Sequence, residues 1–183
     1  MAHIVEQLRR DHRNMRQLLD IIEREMKAYR DDEFPDFDLL RLIAEYTVNY
    51  PELVHHPKEN LIYRRLVSRD PTLRAAIGDL IDEHKRLAEI TQRLMGAIAR
   101  VASDEQLPRE WLDSLVETYL SANRHHIVME EETLYPRALA LLTQQEWAEI
   151  DSQAAMVEDP VFGGKVAAAY LYLHKRITQE CPC

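Results

Sequence analysis

Cysteine is almost missing from this sequence, and the two that occur, Cys181 and Cys183, close the chain as "CPC". With no cysteine upstream there is no partner for a stapling bridge, so the fold rests on its core and suits a reducing compartment. Glycine is scarce, with 4 residues, and β-branched runs are few, which removes the usual ingredients of hairpins and strands. No window approaches the roughly 18 apolar residues of a membrane span, and the opening "MAHIVEQLRRDHRN" holds no apolar run of signal-peptide length. Basic charge is in deficit: 23 Lys and Arg against 32 Asp and Glu leave a net charge of -9, spread along the chain. Nucleic acid and anionic membrane surfaces both require a basic footprint, so neither is expected as a partner. The expectation is a cytoplasmic protein.

What the sequence does have is apolar residues at helical spacing almost everywhere, in 183 residues that suffice for one core. The class is therefore all-α. Ile4, Leu8, Met15, Leu18, Leu19, Ile22 and Met26 make one stripe. A second helix is predicted over 38–66, kinked or interrupted by Pro51 and Pro57. A third carries Leu73, Ile77, Leu80, Ile81, Leu87, Ile90, Leu94 and Ile98, and a fourth follows Pro108 with Trp111, Leu112, Leu115, Tyr119 and Ala122. Long helices with short loops read as an up-down four-helix bundle over 1–142. The remainder, 143–183, reads as a helical extension packed on it. "TQQE" at 143–146 is a capping-box signature, "EDPVFGG" a turn, and 165–180 an amphipathic helix.

Two segments, "LVHHPKENLIY" at 53–63 and "HHIVMEEETLYP" at 125–136, set histidines and glutamates among apolar neighbours. His55 and Glu59 are spaced i, i+4, as are His126 and Glu130, so each pair lies on one helical face. His12 falls on the first helix's stripe and His84 on the third's. Each half of the chain thus repeats a lone histidine followed by H-x-x-x-E, at nearly the same spacing (12 to 55, 84 to 126). A single inward histidine is an ordinary core residue; four at matched places on four helices, with two carboxylates, point to metal. Burying the carboxylates unpaired costs several kcal/mol each, whereas two cations turn them into ligands. Imidazole and carboxylate donors suit iron, manganese or zinc. His56 and His125 are offset by about 100° from their neighbours and are expected outside the ligand set or exposed, with both kept as reserve ligands because the prolines leave the second helix's register open. The run from Glu130 to Glu132 reads as a solvated face apart from Glu130, and Asp11 and Glu83 read as exposed. Tyr119 reads as a core residue whose register could also aim its hydroxyl at the site. His3 and His174 match nothing.

At these residues the sequence resembles the hemerythrin-like family, the HHE cation-binding domain, whose four-helix bundle holds a non-haem di-iron centre. "HHPKENLIY" and "HIVMEEETLYP" are close to that family's two signature segments, and the likeness spans 12–142. The resemblance implies two iron ions, oxo- or hydroxo-bridged, held by His12, His55, Glu59, His84, His126 and Glu130, with both glutamates bridging. Oxygen-carrying members have a fifth histidine one turn after the third helix's ligand, where this chain has Ala88. The four-histidine, two-glutamate set is similar to that of bacterial members that handle nitric oxide or peroxide. The repair-of-iron-centres proteins among them carry a cysteine-containing N-terminal segment that this sequence lacks. The implied function is binding or reaction of a small diatomic or peroxide in oxidative or nitrosative stress defence, by a di-iron oxidoreductase. The alternative is an oxygen or nitric oxide sensor, or an iron depot without turnover.

Overall fold

The computed structural model describes residues 3–31, 33–103, 105–154 and 157–180; Cys181 and Cys183 lie outside them. Among the described residues every regular element is helical. Four rods form the bundle. The first is α1 (His3–Arg30). The second is α2 (Phe37–Asn49) continued through a π-helical turn (Pro51–His55) into α3 (His56–Arg69). After the short α4 (Leu73–Ile77) comes α5 (Leu80–Ala102) as the third. The fourth is α6 (Arg109–Met129), a second π turn (Glu130–Leu134) and α7 (Tyr135–Leu141). Chain-adjacent rods pack side by side and α6 closes the ring against α1. α8 (Gln144–Gln153) and α9 (Leu171–Glu180) follow.

Local chemistry sets the starts. The Asp36 carboxylate accepts from the Leu39 N–H at 2.9 Å to open α2, and Thr143 with Glu146 forms the expected capping box of α8. The predicted third helix is divided: Gly78 takes φ 79°, a left-handed conformation that side chains resist, so Leu73 and Ile77 belong to α4 and α5 starts afresh at the Asp79 cap. The predicted last helix is shorter than 165–180. Ala167 is extended and a 3₁₀ turn (Ala168–Tyr170) precedes α9. Trp111, placed on the fourth stripe by spacing, is 40% exposed.

Both π turns precede a proline by the same step. Pro57 and Pro136 lack an N–H, and each ring clashes with the carbonyl four residues back. The backbone widens instead: the His56 N–H reaches the Pro51 carbonyl and the Tyr135 N–H reaches that of Glu130, bonds spanning five residues. The expected interruption near Pro51 and Pro57 is thus a widened turn within an otherwise continuous rod.

The apolar interior falls into two clusters, and every rod threads both. Leu18, Val54, Leu94 and Ile127 belong to one; Leu8, Ile62, Leu80 and Leu134 belong to the other. α8 packs on α3, where Arg69 pairs with Glu146 at 2.6 Å and Arg65 with Glu149. α9 lies against α2, and Arg176 pairs with Asp36. No helix among the described residues is long and apolar enough to cross a membrane.

Candidate metal centre

Between the two apolar clusters, at one level of all four rods, lies a layer of polar side chains. On α1 it is His12; on the second rod His55, His56 and Glu59; on α5 His84; on the fourth His126 and Glu130. All seven are buried, and both glutamates are 0% exposed. Their donor atoms form two groups, each within 4.8 Å: His56, Glu59, His84 and His126, and His12, His55, Glu59 and Glu130.

Both carboxylates span the layer. Glu59 Oε1 lies 2.9 Å from His55 Nε2 and 3.4 Å from His12 Nε2, while its Oε2 lies 3.5 Å from His84 Nε2. Glu130 Oε2 lies 3.2 Å from His12 Nε2 and 3.3 Å from His126 Nε2, and its Oε1 is 3.5 Å from His84 Nε2. His84 and His126 bring their Nε2 atoms to 3.1 Å. Glu59 Oε2, both Glu130 oxygens and His55 Nε2 are buried with no hydrogen-bond partner, a costly state for acceptors unless something positive joins them. Two cations fit that need, and the imidazole and carboxylate donors suit transition metals.

The family scan agrees with the geometry: the model of the hemerythrin HHE cation-binding domain matches residues 3–138. The chain belongs to the hemerythrin HHE cation-binding family. The match runs from the start of α1 into α7, so α8 and α9 lie beyond it. Neither a curated protein nor a solved structure matched.

In this hemerythrin-family site three imidazoles hold an oxygen at Nδ1 within hydrogen-bond distance, the arrangement that fixes a ligating ring and leaves Nε2 for a metal. His12 Nδ1 meets Glu131 at 3.1 Å, His55 meets Asp11 at 3.1 Å, and His84 meets the Asn60 amide oxygen at 3.2 Å. His56 faces Glu52 at 3.4 Å and His126 faces Glu83 at 3.6 Å. Arg16 grips the far side of Glu131 at 2.9 Å. Tyr135 donates its hydroxyl to Glu59 Oε1 at 2.5 Å, and its ring stacks on His12.

Without a metal, protons take the cationic role. Burial opposes charge on His12, but hydrogen bonds to Glu130, Glu131 and Glu59 override it and raise the ring to about 11. His55, pushed down by burial and up by Glu59 and Asp11, stands at about 9. His56 goes the other way, lowered by burial and by the neighbouring His84. Burial also lifts its neighbour Glu52 to about 7. Glu131 is held at about 2 by His12 and Arg16.

The structure brings together all six side chains expected from the sequence and adds a seventh. His56, expected only as a reserve ligand, is 6% exposed and inside it, because it opens α3 three residues before Glu59, and residues so spaced share a helical face. His125 is exposed, as its offset implied. Asp11 is not exposed but 4% accessible beneath His55. Glu131 and Glu83 are half-buried against histidines rather than solvated. Tyr119 packs in the apolar interior, and the hydroxyl at the cluster is that of Tyr135. The cue was available: Tyr135 closes the second motif, one residue before its proline.

Proposed function

We propose that His12, His55, His56, Glu59, His84, His126 and Glu130 hold two iron ions, and that the protein uses them to bind or react with nitric oxide, hydrogen peroxide or oxygen in oxidative or nitrosative stress defence. The observation that carries this reading is the pair of four-residue donor groups sharing Glu59, with orphaned carboxylate oxygens between them. Iron, when bound there, supplies a redox couple and exchangeable coordination positions.

The chain's own residues do the rest. Asp11, Glu131 and Asn60 orient His55, His12 and His84, and the carboxylates of Asp11, Glu131 and Glu83 raise the basicity of His55, His12 and His126. Tyr135 keeps its proton, since burial and the carboxylates of Glu59 and Glu130 raise it well above the usual phenol range, and so it holds Glu59 in place as a donor. The apolar clusters on either side of the layer restrict water and favour small, weakly hydrated ligands.

Anaerobic loading with ferrous iron, metal analysis and stopped-flow mixing with the three small molecules tests this. Two irons per chain and reaction with at least one of the three molecules are expected. Iron uptake with inertness to all three molecules instead favours a depot, and failure to take up metal removes the reading.

A further inference from the structure

A small cavity of about 20 Å³ lies among α1, the second rod and α6, lined by Met15, Leu18, Leu19, Thr47, Tyr119 and His56, with Tyr46, Pro51 and Asn123 completing it. A volume of that order admits one water-sized molecule. Of the seven clustered side chains, only His56 forms part of its wall. Two larger cavities among the described residues border none of them. One of about 760 Å³ lies at Tyr29 and Leu107, and one of about 430 Å³ ends on Asp11 and Tyr50.

Three of the small cavity's polar side chains are engaged elsewhere. Thr47 donates its hydroxyl to the Ile43 carbonyl at 2.9 Å, the Asn123 amide donates to the Tyr119 carbonyl at 2.9 Å, and Tyr46 donates to Asp159 at 2.9 Å. The lumen therefore offers mostly apolar surface, with the Tyr119 hydroxyl and the His56 ring as its remaining polar groups, conditions that hold water weakly and admit small neutral molecules. Met15 and Asn123 are half-buried, whereas every other lining residue is buried. The open end is thus at Met15 and Asn123, and the closed end at His56.

We propose that this cavity is the route by which small neutral molecules reach the cluster, with Met15 and Asn123 as its mouth and the His56, His84, His126 side as its destination. The proposal rests on the metal reading above and specifies which half of the centre an incoming molecule meets.

Two measurements test it. In protein free of paramagnetic metal, dissolved oxygen is expected to relax the methyl protons of Met15, Leu18 and Leu19 more strongly than those of Ile62 and Leu66, which are equally or more buried in the other cluster. In the reduced, iron-loaded protein, Met15→Phe and Asn123→Phe are each expected to slow nitric oxide binding about tenfold at unchanged iron content, and Met15→Ala to quicken it. Relaxation at the lining methyls no stronger than at Leu66 shows the cavity closed to gas and overturns the proposal. Unchanged nitric oxide rates in whichever filled variant folds also overturn it, while intact iron content leaves the metal site standing. A wild-type chain that takes up no metal defeats the underlying reading and this one together, and metal analysis alone tells that case apart.

Discussion

His56 lies flat against His84, ring centroids 4.1 Å apart and planes within 10°. A face-to-face pair of imidazoles in a buried layer is tolerable only if at most one carries charge, and His56 is the one held neutral by burial and by His84. A neutral ring is ready to ligate. His56→Ala is therefore expected to lose iron to the same degree as His84→Ala, and His125→Ala to keep it. Metal analysis of the three purified variants decides; full retention in His56→Ala removes it from the ligand set.

The oxygens behind the histidines should matter at a distance from the metal. Asp11→Asn and Glu131→Gln keep side-chain volume but weaken the acceptors facing His55 and His12. A loss of about 10- to 100-fold in metal affinity is expected for each. Competition with a chelator of known affinity measures it, and wild-type affinity in both variants would assign these carboxylates to packing alone.

Tyr135→Phe removes a donor from Glu59 and a longer 3.3 Å contact with His12 Nε2, and nothing else of size. A hydrogen bond to a buried charged group is worth about 1.5–3 kcal/mol, so the metal-free variant should be destabilised by about that much. In the loaded protein the loss should shrink, because Glu59 then has a cation. Urea unfolding of both forms tests this, an equal loss in the two forms being the contrary result.

Stability should depend on pH in opposite ways with and without metal. His12 at about 11 and His55 at about 9 both stand above the ordinary 6.5. Their contribution to the metal-free protein is fully present below pH 6.5 and lost as pH rises through 9 and then 11. Ligation needs the same nitrogens unprotonated, so loading releases protons and grows stronger over that window. The urea midpoint of the metal-free protein should fall between pH 6.5 and 9 while that of the loaded protein holds or rises. Parallel curves would refute the proton-for-metal exchange.

Much of the site was legible from spacing alone. The stripes placed His12 and His84, and the i, i+4 pairs placed His55 with Glu59 and His126 with Glu130, because those residues lie in or beside regular helix. His56 stands three residues before Glu59 within α3, a spacing that shares the face of Glu59, but the i, i+4 pair of His55 with Glu59 masked it. Asp11, Glu83 and Glu131 escaped because an acidic residue beside a histidine looks solvated until the partner helix is known. Their roles are made between rods, at contacts such as Glu131 with His12, which local sequence does not carry. The break at Gly78 was visible as a glycine, but its positive φ was set against an apolar spacing that ran straight through it.

The polar layer also divides the interior in a way that bears on how the protein comes apart. Leu94 and Leu80 sit on the same helix yet in different apolar clusters, with His84 between them. Each cluster is a small core, and cooperativity between them must cross a stratum of carboxylates and imidazoles. A bound cation ties that stratum into one unit; protons do so only in pairs. Stripping the metal should therefore split a single opening event into two, with amides of α3, α7 and α8 exchanging with solvent well before those around Leu94 and Ile98.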